Sequence, residues 1–519
     1  MSPKAAHRDG SVGLRPAALS ASSMAGSSAG AADGAVALPA ASPGLGRLAL
    51  PRIRIVVGPL AGRIALASIV VAVLAVVAFA TAGPSVLVPR SDEVFPPWEA
   101  GPLHALFGGL PHNQLTLAYG LSVLLLLMAV AYGVVLAAVR NLSTRAIVLS
   151  VLAIHGLLLL SPPLQLTDVF NYLGYARLGA LHHLNPYTHV IGAEVHDPIF
   201  RFATWHNLHS PYGPLFTAAT YVLPIGSLSV SYWLLKTVTV LGSLAFLALL
   251  WRCARNLGRD PRVVVALVAL NPIYIIYAVG GFHNDFFMLV PSTAAIALLT
   301  APVGDGSSLR RRDLGAGAVL MLAVAVKFTA VLLLPFLLLA VDSGGRRLRI
   351  LAGALLGAIP LAALSLAVFG VSLPNLQDQS TLLTAFSIPN VVGLALGVGG
   401  TPLLLRVADV AVVLAVVLLL AGGLRNADRR GDWISRAGWA TLALIASLAW
   451  LMPWYLIWLA PLAALGASRG LRRAMIALTA FLLLTFIPAT GIYLSDHGID
   501  PMATPAGHAS SVLQHKLSR

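Results

Sequence analysis

Nine stretches of about 20 apolar residues, separated by short arginine clusters, restrict this chain more than any other feature. They run over 64–83, 116–139, 145–163, 231–251, 263–280, 284–301, 350–369, 404–423 and 473–490. Each approaches the ~20 residues that cross a bilayer core as a helix. Of the 519 residues, 58% are hydrophobic and only 10% are charged. That balance excludes a soluble domain and predicts an all-α, polytopic integral membrane protein. A transmembrane barrel would need short alternating segments, and the sequence has none.

The net charge of +15 comes from basic residues scattered between apolar segments, not from one patch. It therefore reads as membrane topology, with no nucleic-acid partner. A single cysteine, Cys253, excludes an intrachain disulfide and a CxxC metal site. Residues 1–58, Ala/Ser/Gly/Pro-rich over their first 50 positions, are expected to form a disordered tail. The membrane domain is expected over 59–490 and a further tail over 491–519.

The arginines assign the sides. Arg140 and Arg145; Arg252, Arg255, Arg259 and Arg262; Arg310–Arg312; Arg346, Arg347 and Arg349; Arg425, Arg429, Arg430 and Arg436; and Arg469, Arg472 and Arg473 read as short cytoplasmic loops. Two intervals between them, 314–341 and 437–468, are too short for two full spans. Each is expected to dip in and return, broken near Lys327 and near Met452–Pro453. Irregular backbone at that depth needs cover by protein or a wet cavity. The N-terminus then lies in the cytoplasm. Segments 84–115, 164–230, 281–283 and 370–403 and the C-terminal tail fall outside a plasma membrane. The 213–229 piece of the large outer loop is expected in the interface.

The outer side collects the unusual residues. Asp168 follows the third span, and six of the fourteen histidines lie between His182 and His209. The same loop holds Arg177, Asn185, Tyr187, Trp205 and "SPYGP". "GGFHNDFFM" forms a second outer turn. Bland readings stand beside these. Asp168 is either a helix N-cap or a base; His283–Asn284–Asp285 is either a capping turn or a site; Lys327 either snorkels or acts. The aromatics around Trp454 are either an interfacial belt or a binding surface, and the histidine cluster is either solvated or functional. No HExxH-type pair marks a metal site.

Together the parts match sugar transfer from a lipid-linked donor. A carboxylate at the bilayer surface serves as a general base, basic groups hold phosphate, aromatic rings face a sugar, and a short hairpin leaves room for a lipid tail. A transporter or lipid flippase, and a scaffold for envelope assembly, are the rival classes.

Asp168 with "FNYLGYARLGALHHLNPY", then Trp205 and "SPYGPLF", "NPIYIIYAVGGFHNDFFM", "KFTAVLLLPFLLL" and "MPWYLIWLAP", resembles the polyprenol-phosphate-mannose-dependent α-1,6-mannosyltransferase family. These are polytopic C-type glycosyltransferases of actinobacteria. The resemblance covers roughly 60–490. It implies a GT-C-like fold of about 11–13 transmembrane or membrane-dipping helices with an extracytoplasmic active-site loop. It implies mannose taken from a β-linked polyprenyl phosphate and placed in α linkage on a growing glycan or lipoglycan. Arabinose and other hexoses are alternatives. Asp168 would be the general base. Donor phosphate would meet Arg177, Lys327 and His283. Acceptor and sugar would meet Tyr172, Asn185, Tyr187, Trp205, Tyr212, Asn284, Asp285, Trp454 and Tyr455. No cofactor is expected, because the lipid-linked sugar is itself a substrate; a divalent metal is left open.

Overall fold

The apolar stretches are helices. The computed structural model describes residues 58–89, 94–111, 113–302, 306–425 and 432–519. The expected tail over 1–58 therefore lies outside the described residues except for Gly58, as do Arg429 and Arg430. Among the described residues, five helices are long and apolar enough to cross a membrane: Pro59–Ala80, Gln114–Asn141, Leu228–Asn256, Gly344–Phe369 and Pro402–Arg425. Two bent pairs raise the number to seven if each is one span, and five shorter apolar helices accompany them. The chain is an integral membrane protein of the all-α class.

Both bent pairs correct an expected straight span. The 263–280 stretch is two helical pieces, Pro261–Ala269 and a π-helical Ile273–Val279, meeting at 58°. The 473–490 stretch bends by 53° between Arg469–Phe486 and Pro488–Asp496. Pro272 and Pro488 stand at the two breaks, where a ring without an N–H ends the helical ladder. The third expected span is a 17-residue helix, Thr144–Leu160.

The arginine clusters are a second correction. Arg252 and Arg255 lie in the last turns of Leu228–Asn256, Arg310–Arg312 in the first turns of Gly306–Val326, and Arg346, Arg347 and Arg349 at the start of Gly344–Phe369. Arg469, Arg472 and Arg473 open Arg469–Phe486 in the same way. They are helix ends rather than loops. Long basic side chains let a helix run on past its apolar stretch while their charged heads reach polar surroundings.

The two short intervals form hairpins broken where the sequence indicated. Gly306–Val326 ends at Lys327, whose backbone is extended (φ −151°, ψ 118°). Short turns Phe328–Leu333 and Leu334–Leu339 lead back. The mouth of this hairpin is pinned by Asp313, which accepts from Arg346 and Arg349. Its long leg packs on Gly344–Phe369 through glycine: a Cβ at Gly317 would run into the Ile350 carbonyl, and one at Gly353 into the Leu314 carbonyl. The second hairpin has legs Asp432–Ser447 and Leu456–Leu465, with 448–452 irregular between them. The Ser468 N–H donates to Ser435 Oγ at 3.1 Å, so its ends also meet.

Burial sorts the helices. Every residue of Leu456–Leu465 is buried, and so is every residue of Ile273–Val279. No residue of Pro402–Arg425 is buried. Its many exposed apolar residues, such as Leu403, Val410, Val413 and Leu418, suit contact with lipid chains. The expected interfacial piece 213–229 contains the helix Pro214–Thr220 followed by the turn Leu223–Ile225. The 491–519 segment is not a featureless tail, since helix Pro505–Ser518 packs Leu517 and Leu513 against Leu208, Leu382, Trp205 and Trp450.

Candidate active site

Segments far apart in the chain meet at one cavity of about 330 Å³. The first is the loop before Asp168. Gln165 adopts a left-handed φ of 66° and donates its N–H to Leu87. Leu164 donates to Gly280 at 2.9 Å, tying this loop to the "GGFHND" turn. Thr167 is the N-cap residue of helix Asp168–Ala180, and Asp168 is its first helical residue. The N-cap reading of Asp168 is thereby corrected, although an acid in the first turn still suits the helix dipole.

The "GGFHND" turn is the second segment. It follows the π-helical piece, a conformation that recurs at functional sites. Phe282 takes φ 52°, a left-handed conformation that costs a bulky residue energy, and it is fully buried. Its face lies 4.8 Å from the buried Lys236 ammonium, which also donates to the Ser161 carbonyl at 2.6 Å. The turn places His283 Nδ1 3.5 Å from Asp168 Oδ2 and stacks the His283 ring on Trp454 at 4.0 Å. The Asn284 N–H donates to the Tyr172 hydroxyl.

"SPYGP" is the third. The Gly213 N–H donates to the Val326 carbonyl at 3.0 Å, seating the motif against the end of the first hairpin's long leg. Tyr212 then meets Tyr172 edge-on at 4.9 Å. The two hairpin breaks complete the cavity. Lys327 donates to Asp285 Oδ1 at 2.7 Å, and the Trp458 indole donates to the same oxygen at 2.5 Å. Trp458 and Tyr455 stack at 4.4 Å, with the ammonium 4.9 Å from the Trp458 ring.

The electrostatics divide the groups by task. Burial pushes the Asp168 carboxyl up to about 6; Lys327 opposes that rise and Asp285 adds to it. Burial lowers His283 to about 3, so its imidazole is neutral at physiological pH. Asp168 is thus a carboxylate near pH 7 with the pKa of an effective proton acceptor. Lys327 spends one of its three N–H bonds on Asp285 and has two for a further anion.

Of the residues named from sequence, Asp168, Tyr172, Trp205, Tyr212, His283, Asn284, Asp285, Lys327, Trp454 and Tyr455 line the cavity. Arg177, Asn185 and Tyr187 do not. Arg177 Nε donates to Asp197 at 2.7 Å, and Asp197 also takes a bond from His182. Burial works to raise Asp197, but those bonds outweigh it and hold the carboxyl below its ordinary value. Asn185 donates to the Phe369 carbonyl, and the Tyr187 hydroxyl donates to the Tyr212 carbonyl. Those three side chains hold the loop together rather than face the cavity.

Trp458, Asn171 and Asp409 are among the lining residues that escaped the sequence reading. Trp458 sits in the quoted aromatic cluster, one turn after Trp454. Asn171 accepts from the Thr204 and Trp205 N–H groups and so places Trp205. Asp409 was visible as a charge inside the 404–423 stretch, where an ionisable residue is itself a signal. Among the described residues, no three His, Cys, Asp or Glu side chains are grouped to hold a metal ion.

Residues 55–343 match the family model described as "Alpha-(1->6)-mannopyranosyltransferase, N-terminal domain", and residues 381–512 match "MptB C-terminal domain". Alpha-(1->6)-mannopyranosyltransferase A of Mycobacterium tuberculosis is 29% identical over 369 residues, covering 64% of this chain and 67% of that protein. The Corynebacterium glutamicum protein of the same name is 28% identical over 187 residues, 34% of this chain and 35% of its own length. Alpha-(1->6)-mannopyranosyltransferase B of C. glutamicum is 24% identical over 348 residues, 59% and 56% of the two chains. The chain thus spans between about a third and two thirds of these relatives' lengths. No solved structure matches. With a family model matched over more than half its length, this chain belongs to the alpha-(1->6)-mannopyranosyltransferase family, whose members are GT-C membrane hexosyltransferases.

Proposed function

We propose that this protein transfers mannose from a polyprenyl-phosphate donor to a cell-envelope glycan or lipoglycan on the outer face of the plasma membrane. The observation that carries the reading is the convergence on one cavity of a carboxylate raised toward neutrality, a lysine with spare donors and a set of aromatic faces. Asp168 takes the proton of the acceptor hydroxyl as that oxygen bonds the anomeric carbon. The anomeric C–O bond to phosphate breaks on the opposite side, so the configuration inverts. The electron pair leaves on polyprenyl phosphate, whose charge Lys327 meets.

A lipid-linked donor is supported by what lies beside the polar cavity. A second, mostly apolar hollow of about 60 Å³ is lined by Met288, Leu289, Leu333 and Leu462, and it shares Thr329 and Trp458 with the first. An isoprenoid chain passing there would leave its phosphate beside Lys327. The outer-face orientation rests on the arginine-bearing helix ends, which lie at the opposite end of the first hairpin from Lys327.

The test is incubation of the purified chain with labelled polyprenyl-phosphate-mannose and a short α-mannoside acceptor. Transfer that Asp168→Asn abolishes supports the reading. Vectorial movement of lipid or sugar without a new glycosidic bond would replace it with transport.

A further inference from the structure

Asn284 is the N-cap residue of helix Asp285–Thr300, yet its side chain makes no capping bond. Asparagine at that position normally accepts an N–H from the first turn and so stabilises the helix start. Here the side chain is 1% exposed, and neither its amide nitrogen nor its oxygen has a hydrogen-bond partner. Because both atoms are unpartnered, the assignment of O and N in the amide does not matter. Its neighbours repeat the pattern: His283 Nε2, Asp285 Oδ2 and Asn171 Nδ2 are buried and unpartnered too. All four residues line the 330 Å³ cavity. Buried polar atoms without partners are few in folded proteins, and each is costly. Five such atoms, donors and acceptors mixed, match hydroxyl groups, which both give and accept.

Their place says whose hydroxyls. His283 stands at the Asp168 end, where the acceptor oxygen loses its proton. Asp285 stands at the Lys327 end, where the phosphate leaves. Asn284 lies between them in the chain and lines the same cavity, where a sugar ring joining the two ends would pass. Trp454, Tyr455 and Trp458 supply flat faces against the apolar side of a pyranose.

We propose that Asn284, with the second oxygen of Asp285, reads neighbouring hydroxyls of the transferred hexose and sets the sugar specificity of this protein. The inference rests on the donor reading above.

The test uses the purified full chain and polyprenyl-phosphate-mannose beside its single-deoxy and epimeric counterparts. Binding is read by quenching of tryptophan fluorescence, and transfer by product. Wild type is expected to prefer the parent sugar over at least one deoxy form by about 5- to 150-fold in both readouts. Asn284→Ala should lose that preference by weakening the parent sugar alone. Asn284→Asp keeps the volume and the acceptors but not the donor, and should sit between. Deoxy acceptors should not distinguish wild type from Asn284→Ala. Equal binding of parent and deoxy donors by wild type overturns the proposal, as does unchanged discrimination in Asn284→Ala. Discrimination without transfer leaves this proposal standing and overturns only the transferase reading. No binding by wild type overturns both.

Discussion

Leu164 donates its backbone N–H to Gly280 at 2.9 Å, and that bond joins the loop carrying Asp168 to the turn carrying His283. The two segments are far apart in sequence. The 3.5 Å approach of His283 to Asp168 follows from the joint rather than from either segment alone.

Asp168→Asn keeps the shape of the helix start and removes the base. Transfer should fall by about 10²–10⁴-fold, the usual contribution of a positioned base. Membrane insertion should be unchanged.

Acidification tests the same residue differently. With Asp168 raised to about 6, the wild-type rate should climb with pH up to about 6 and level above it. The stability sign is opposite. A carboxyl raised on folding favours the native state while protonated, and that contribution is lost as pH rises through about 6. Asp168→Asn should therefore melt no lower than wild type at pH 7 to 8, and a markedly lower midpoint would contradict this environment.

Lys327→Met should lower kcat/KM for the lipid donor and also destabilise, because the Asp285 side chain is 1% exposed and loses its cation. Removing one partner of a buried pair costs about 3–5 kcal/mol, less here because Lys327 is 20% exposed. Adding Asp285→Asn should recover most of the melting temperature without recovering transfer. Recovery of both would show that Lys327 acts only through the ion pair.

Arg177→Ala should act through stability. Asp197 is 3% exposed and loses its main partner, so the protein should melt lower while KM for the donor stays near wild type in the folded fraction. A raised donor KM at unchanged melting temperature would return Arg177 to the phosphate.

Helix Pro505–Ser518 braces the roof of the cavity. Asn207 donates its backbone N–H to the Leu517 carbonyl and its side-chain amide to the Lys516 carbonyl, while the Leu383 N–H donates to Ser510 Oγ at 2.7 Å. Leu517→Asp, which puts a charge against Leu208 and Leu382, should cut transfer while leaving membrane insertion intact. Full activity with a shifted limited-proteolysis pattern at the C-terminus would show the brace to be dispensable.

Much of this was written in the linear chain. Runs of apolar residues near bilayer length name the fold class, because hydrocarbon admits backbone only as closed hydrogen-bonded helices. The spacing of charges located both hairpin breaks at Lys327 and Met452–Pro453, since two spans do not fit in 28 or 32 residues. Asp168, Lys327 and "GGFHND" stood out for the same reason: polar groups are costly near lipid.

Other decisions needed the tertiary structure. Arg177, in the outer loop, and Asp409, inside an apolar run, are both charges that the sequence marks as candidates. Only packing shows that Asp197 engages the first and that the second lines the cavity. Trp458 and Trp454 share one aromatic cluster, yet one donates to Asp285 and the other stacks on His283. The roof helix could not be foreseen, because its apolar side is a few residues that bury only against the loop at Leu208. Insertion into a membrane is a property of single segments and is legible along the chain. Partnership between side chains depends on which segments the fold brings together, and the linear order does not carry it.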